Sequence, residues 1–184
     1  MTKKRKTNSV TNLKSALIDL LLEMEYSKIT IGNITQRANV SRGTFYQHFL
    51  DKDDLAYSIG TETMQRFWEI LAQGNLDKED MLLKALLLIK NDYKHFKAIS
   101  KAPHVQFKDK VQQLICDLIN NNSAIREKIK KKTKISDEIV IKAFSTSFET
   151  IISSWIDNDL SESPEKVVDL SLIHISEPTR LALI

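Results

Sequence analysis

The sequence predicts an all-α protein, with an N-terminal three-helix helix-turn-helix domain followed by a helical C-terminal domain. Apolar residues recur at helical spacing along most of the chain. Only four glycines and three prolines occur in 184 residues, which indicates few turns and long helices. Between Thr30 and Leu55, two short amphipathic segments are separated by only two residues, which is the layout of a helix-turn-helix.

The first predicted helix runs roughly from Val10 to Glu25, because leucines repeat there at helical spacing. Four consecutive basic residues precede it, within MTKKRKTNS. We expect residues 1–9 to form a flexible basic arm. Ahead of a DNA-binding motif, Lys4 and Arg5 in such an arm would lie along phosphates or a minor groove.

The helix-turn-helix itself has clear local signals. Ile31 to Ala38 is the predicted scaffolding helix, and Ser41 to His48 the predicted reading helix. Thr30 and Ser41 stand at the two N-cap positions, where a side-chain oxygen can accept from free backbone N–H groups. Asn39 lies in the turn between the two helices. Asparagine is suited to this position because it tolerates the left-handed backbone that such a turn needs.

The outer face of the reading helix is polar and contains no carboxylate. Phe45 and Phe49 share one face and are expected to pack inward. The remaining face suits phosphates and base edges, although an ordinary solvated helix could also present it. Its residues are Arg42, Thr44, Tyr46, Gln47 and His48.

This stretch resembles the DNA-binding domain of the TetR family of bacterial transcriptional regulators. About a dozen positions agree in fixed register over twenty-six residues, and the chain departs from the usual pattern at Thr35 and Asn39, where alanine and glycine are common. The matching residues are Thr30, Ala38, Val40, Ser41, Gly43, Thr44, Phe45, Tyr46, His48, Phe49, Lys52 and Leu55.

The resemblance implies a sequence-specific regulator, and most simply a ligand-responsive repressor that binds a palindromic operator as a homodimer. An architectural or nucleoid-associated DNA-binding protein without a ligand switch is the alternative. In the regulator, the expected contacts to base edges are Arg42, Thr44 and Gln47. The expected contacts to phosphates are Ser41, Tyr46, His48 and Lys52. Thr30 and Gly43 complete the expected DNA-binding set.

The C-terminal half, residues 53–171, is predicted to be a helical regulatory and dimerisation domain. Its last two helices resemble in layout the helices with which family members dimerise. An unknown small-molecule effector would enter this half, although simple core packing explains its aromatic residues equally well. The aromatic residues expected to line the cavity are Phe67, Trp68, Tyr93, Phe96, Phe107 and Phe144. The predicted helices span Lys52 to Ala72, Lys78 to Ala98, the apolar series from Val105 to Asn120, and Ser136 to Asp159, with a restart at Ser163.

Charge and composition agree with a DNA-binding head. Residues 1–52 hold nine Lys/Arg against four Asp/Glu, a net charge of +5, whereas residues 53–184 hold eighteen against twenty, a net charge of −2. Basic charge therefore sits where a polyanion would bind, and we assign residues 1–52 to the DNA-binding domain.

Nothing in the sequence indicates an enzyme, a metal site or a cofactor. The four histidines are not spaced as metal ligands, the single cysteine excludes a disulfide framework, and no glycine-rich phosphate loop occurs. No apolar run has the length of a membrane span, and the basic start lacks an apolar signal core, so we expect a cytoplasmic protein.

The chain ends in an atypical segment. From Leu172 the sequence LIHISEPTRLALI departs from the preceding helical pattern, and Pro178 would interrupt a helix. The segment resembles a translated cloning scar. We therefore expect residues 172–184 to be a non-native tail that leaves the last helix shortened.

Overall fold

The computed structural model describes residues 2–72, 78–121 and 136–176, with side chains for residues 8–70, 82–121 and 136–170. All regular elements within these ranges are helical, which confirms the all-α fold class. The predicted break at 74–77 and the basic run at 126–134 lie outside the described residues. None of the helices in the described ranges is long and apolar enough to cross a membrane.

Residues group into two compact units, the first comprising 1–65 and 93–107 and the second 66–92 and 108–184. The boundary between them therefore falls inside one helix, and the functional division predicted at residue 52 stays a prediction. The elements of the first unit are α1 (Thr2–Glu23), a 3-10 turn (Tyr26–Lys28), α2 (Ile31–Arg37), α3 (Arg42–Tyr46), the start of α4 (Lys52–Ala72), α6 (Tyr93–Ser100) and a second 3-10 turn (Pro103–Val105).

The start of the chain differs from the prediction. Helix α1 begins at Thr2 and not near Val10, so the expected flexible arm, residues 1–9, is helical from Thr2 onward. Hydrophobic periodicity marks only the part of a helix that has a buried face, and a polar first turn leaves no such mark. Lys4 and Arg5 thus belong to α1, and their side chains lie outside the described residues.

The local signals of the helix-turn-helix are confirmed. Thr30 Oγ1 accepts from the Asn33 backbone N–H at 3.1 Å, and the Asn33 side chain accepts in return from the Thr30 N–H at 3.0 Å. Ser41 Oγ accepts from the Thr44 N–H at 3.0 Å. Asn39 adopts φ 53°, the left-handed backbone expected in this turn.

Thr35, one departure from the family pattern, is buried without an unpaired hydroxyl. Its Oγ1 donates to the carbonyls of Ile31 at 2.9 Å and Gly32 at 3.2 Å, both one turn earlier in α2. A threonine can therefore replace the usual alanine, because the helix itself satisfies the added polar group.

The core of the first unit places the reading helix. Helix α1 packs against α2 and α6, and α2 packs against α3. Phe45 is fully buried, with its ring centroid 5.9 Å from that of Phe49. The side chains with 0% exposure in this core are Leu13, Leu17, Ile34, Phe45, Leu55, Ala56, Ala98 and Ile99.

Within the described residues, the second unit contains the rest of α4 together with four further helices. The single helix predicted from Lys78 to Ala98 is in fact two, α5 and α6, and they belong to different units. Apolar spacing continues across Asp92, so periodicity could not reveal the break. The described helices of this unit are α5 (Lys78–Asn91), α7 (Phe107–Asn120), α8 (Asp137–Asp157) and α9 (Pro164–Ser176). The first residue of α7, Phe107, still belongs to the first unit.

Helix α9 packs against α5 and α8. The Trp155 indole N–H donates to the Glu162 carbonyl at 2.9 Å and closes the connection between α8 and α9. Helix α9 continues to Ser176, through the first residues of the segment predicted as a non-native tail. Its apolar residues remain compatible with a helix until Pro178 approaches, and residues 177–184 lie outside the described part.

Gly60 in α4 allows a close approach to the 3-10 turn at Val105. A Cβ on Gly60 would lie 2.7 Å from Val105 Cγ1 and 3.1 Å from the Val105 carbonyl oxygen. We expect Gly60→Ala to destabilise the protein by about 1–2 kcal/mol, since overpacking outweighs the gain in helix propensity. Thermal or urea denaturation measures this loss.

Gly43→Ala is the matched control for this test, because a Cβ there would meet only Ser41 Oγ, at an ordinary 3.6 Å. Its stability should equal or exceed that of the wild type. Equal stability of the Gly60→Ala and Gly43→Ala proteins would contradict the role assigned to the Val105 contact.

Candidate nucleic-acid interface

Most of the predicted DNA-binding residues of the helix-turn-helix lie on α3 or next to its ends, and they are at least partly exposed. Phe45 points into the core, and this orientation leaves the neighbouring positions outside. Thr44 and His48 are partly exposed, and Tyr46 is 59% exposed with its ring edge-on to Phe45. The exposed members of the set are Thr30, Ser41, Arg42, Gly43, Tyr46 and Gln47.

Helix α3 is shorter than the sequence predicted. The pattern indicated a reading helix from Ser41 to His48, but the regular α-helix covers only Arg42–Tyr46, with Gln47 as its C-cap. The His48 N–H donates to the Phe45 carbonyl at 2.9 Å, three residues back. The Phe49 N–H donates to the same carbonyl at 2.9 Å, so residues 47 and 48 form a turn that closes the end of α3.

Carboxylates near this surface are engaged within the protein. Asp51 Oδ1 accepts from the backbone N–H groups of Asp53 at 2.9 Å and Asp54 at 2.8 Å, so Asp51 caps α4. Asp54 Oδ2 accepts in return from the Leu50 N–H at 3.0 Å. These contacts hold two negative charges at the start of α4, where they stabilise the helix dipole.

Lys52 lies in a different environment from the one expected for a phosphate contact. Its Nζ donates to the carbonyls of Tyr26 at 2.8 Å and Ile29 at 2.9 Å, and it lies 4.4 Å from the centre of the Tyr26 ring. The ammonium thus binds the turn between α1 and α2. Its role at phosphate stays a prediction, and the structure adds a role in fixing α4 to that turn.

Three residues that sequence reasoning did not select form a cluster, and one of them, Tyr26, also contacts Lys52. The Tyr26 hydroxyl donates to Asp53 Oδ1, and His104 Nε2 lies 3.4 Å from Asp53 Oδ2. The rings of Tyr26 and His104 are 5.8 Å apart between centroids. Tyr26, Asp53 and His104 come from three distant segments, so no spacing along the chain could have linked them.

Partial burial raises the pKa of the Tyr26 phenol well above its ordinary value of 10, and the bond to the Asp53 carboxylate raises it further. The phenol therefore remains a hydrogen-bond donor throughout the range in which unfolded tyrosine begins to ionise.

Arg42 differs from two other cations of this unit, Arg37 and Lys14. Arg37 forms a bidentate pair with Glu23, at 2.9 and 2.6 Å, which lowers the pKa of the Glu23 carboxyl and joins α2 to α1. Lys14 pairs with Glu62. Within the residues whose side chains are described, no hydrogen bond or ion pair engages the Arg42 guanidinium.

The six residues predicted to line an effector cavity are divided between the two units. Phe96 and Phe107 are buried in the first unit with ring centroids 6.3 Å apart, as simple core packing requires. Phe144 lies 5.5 Å from Phe148 in the second unit, also between ring centroids. The predicted lining therefore stays a prediction. Of the other three predicted lining residues, Tyr93 belongs to the first unit, and Phe67 and Trp68 belong to the second.

The described part of the chain contains no candidate metal site. No cluster of three or more His, Cys, Asp or Glu side chains there could hold a metal ion.

Comparison with known proteins gives two family matches. A family described as "Bacterial regulatory proteins, tetR family" matches residues 15–59, and one described as "Transcriptional regulator C-terminal region" matches residues 77–176. The first match covers the helix-turn-helix, and the second covers more than half of the chain.

Individual relatives extend over most of the chain. The "Fatty acid metabolism regulator protein" of Bacillus subtilis (strain 168) is 21% identical over 174 residues, which cover 85% of this chain and 88% of that protein. The solved structure of a TetR transcriptional regulator from Streptococcus agalactiae 2603V has a TM-score of 0.74 at 18% identity, covering 94% of this chain and 96% of that one. The fatty acid degradation regulator FadR from Bacillus halodurans has a TM-score of 0.68 at 16% identity, with coverage of 90% and 96%.

Lys52→Ala is expected to lower the free energy of unfolding by about 1–3 kcal/mol, since it leaves two backbone carbonyls without their charged donor. Arg42→Ala is the matched control and should change stability by less than about 0.5 kcal/mol, because no hydrogen bond or ion pair among the described side chains engages its guanidinium. Urea denaturation compares the two variants. If Lys52→Ala is as stable as Arg42→Ala, the ammonium does not fix the turn.

The raised pKa of Tyr26 predicts a loss of stability at alkaline pH. The contribution of its hydrogen bond is complete below pH 10, the ordinary pKa of the unfolded phenol, and declines as pH rises above that value. Tyr26→Phe should cost about 1 kcal/mol at pH 8. It should also lose less stability than the wild type between pH 9 and 11. Parallel declines of the two proteins would exclude Tyr26 as the source.

Proposed function

Since the chain belongs to the TetR family of bacterial transcriptional regulators and is a DNA-binding regulator, we propose that it binds a palindromic operator as a homodimer and represses transcription until an effector binds. The family consists of regulators and not of enzymes. We propose that the protein acts in the cytoplasm, where its DNA target lies.

The observation that carries the DNA-binding proposal is the orientation of α3. With Phe45 buried, Arg42 at the start of this short helix and Gln47 at its C-cap are both exposed. A short helix with donors and acceptors on its free face fits the major groove, where each base pair presents a distinct pattern.

We assign different tasks to the residues of this face. Arg42, Thr44 and Gln47 are the proposed contacts to base edges, because they combine donors and acceptors along α3 and at its C-cap. Ser41, Tyr46 and His48 are the proposed phosphate contacts, with Thr30 and Gly43 close to the backbone and Lys4 and Arg5 adding basic charge. These contacts would set register and orientation.

A homodimer follows from the small size of the reading element. One helix of five residues reaches few base pairs, and two copies bound to half-sites about 34–36 Å apart supply the affinity that one lacks. Ile139 on α8 is 61% exposed and Leu170 on α9 is 47% exposed. These apolar side chains support α8 and α9 as the surface that a second copy covers.

The proposed effector binds in the helical C-terminal half and favours a dimer that no longer fits two half-sites. Two similar proteins are named for regulation of fatty acid metabolism and of fatty acid degradation. We therefore propose a fatty acid as the effector class to test. Addition of palmitate should weaken operator binding at least several-fold, and an unchanged affinity would reject this class.

Selection of bound sequences from random double-stranded DNA tests the proposed function. A sequence-reading dimer enriches a palindromic consensus with two half-sites. Enrichment without a consensus, with binding that salt abolishes steeply, would contradict sequence reading and support the architectural alternative.

Arg42→Ala is expected to weaken binding to the selected consensus by about 1–3 kcal/mol if the guanidinium pairs with a guanine. The preference at that base should relax, while the other positions of the consensus keep theirs. Fluorescence anisotropy with single-base variants of the operator measures both effects. A uniform loss over all sequences would assign Arg42 to phosphate instead.

A further inference from the structure

The guanidinium of Arg42 lies against the backbone of Gly32. An ideal Cβ on Gly32 would be 3.0 Å from Arg42 Nη2 and 4.0 Å from Cζ, and 3.5 Å from Thr30 Oγ1. The arginine at the start of α3 therefore extends to the first turn of α2 and occupies the space that a side chain at residue 32 would fill.

The glycine is not required by its own backbone. No glycine in the described part of the chain has a positive φ, so Gly32 has a conformation that alanine could adopt. Glycine also stabilises a helix less than alanine does. What glycine provides at residue 32 is the absence of a side chain. This absence leaves room for the Arg42 guanidinium.

We propose that Gly32 determines DNA specificity by positioning Arg42, so that the first turns of α2 and α3 act as one reading unit. The inference rests on the proposed function, in which Arg42 contacts a base edge. Gly32 itself is a positioning residue and need not touch a base.

Gly32 can affect DNA binding because its contact with Arg42 restricts the conformations of an otherwise exposed arginine side chain. An arginine free in solvent must lose side-chain entropy when it binds a base, and a surface that already supports it reduces this cost. Arg42 has no ion pair among the described side chains that could order it in another way, in contrast to Arg37 with Glu23.

The geometry of base recognition makes a small displacement important. A guanidinium binds guanine through two parallel hydrogen bonds to O6 and N7, and both depend on its plane and position. At 3.0 Å, a new Cβ would force the tip of Arg42 to move by a few tenths of an ångström. Because this tip is the end of a flexible side chain, the fold can accommodate the change while the reading geometry cannot.

The test compares four full-length proteins: the wild type, Gly32→Ala, Arg42→Ala and the double variant. Random-DNA selection gives the consensus of each, and anisotropy gives its affinity for the wild-type consensus. We expect Gly32→Ala to bind that consensus roughly 3- to 10-fold more weakly, with altered preference at the position that Arg42→Ala also relaxes. The melting temperature of Gly32→Ala should not fall, which separates positioning from unfolding.

The double variant supplies the decisive comparison. If Gly32 acts through Arg42, the double variant binds within about twofold of Arg42→Ala, since the group to be positioned is already absent. An equal loss from Gly32→Ala in both backgrounds would overturn the proposal, as would an unchanged consensus and affinity in the single variant.

The same experiment distinguishes failure of this inference from failure of the proposed function. A wild-type consensus that depends on Arg42 but not on Gly32 removes only the positioning role. Absence of any consensus, or a consensus unaffected by Arg42→Ala, removes base reading by Arg42 and the positioning role together.

Discussion

Burial of Phe45 is the constraint on which the DNA-binding surface depends. A helix of five residues has almost no stability of its own in water, because forming its first turn costs more conformational entropy than its few hydrogen bonds recover. Phe45 is fully buried, so the core of the first unit fixes both the position and the rotation of α3. Every outward side chain of α3 takes its direction from this one contact.

The base of α4 is fixed by an equally specific polar arrangement. Lys52 binds the two carbonyls of the turn that precedes α2, and Asp53 accepts from Tyr26 and lies beside His104. Backbone carbonyls at a turn need partners, and a lysine ammonium can supply several donors at once. Lys52 therefore stabilises the first unit whether or not it also contacts phosphate.

The cations of the first unit differ in whether the fold already engages their charge. Arg37 and Lys14 form ion pairs that join α2 and α4 to α1, while the described part of the chain leaves Arg42 without an ion pair. The net positive charge of residues 1–52 thus overstates the charge available to DNA. Position in the fold, and not charge alone, distinguishes a cation that is paired within the protein from one that is available to a ligand.

Much of this architecture could be predicted because its causes are local. The caps at Thr30 and Ser41 and the left-handed Asn39 depend on neighbouring residues, so the sequence alone located the helix-turn-helix and its polar face. The helix boundaries were harder to predict from the sequence. The polar start of α1 carries no hydrophobic periodicity, and the apolar spacing continues across the break at Asp92.

The sequence by itself therefore determined the helical class, the helix-turn-helix and the family resemblance. Only the tertiary structure decided that His104 approaches Tyr26, that Lys52 binds a turn and that Arg42 rests on Gly32. Those contacts join residues that are distant along the chain, and their distances depend on how helices pack. Helical periodicity specifies which face of a helix is buried, but not which partner that face will meet.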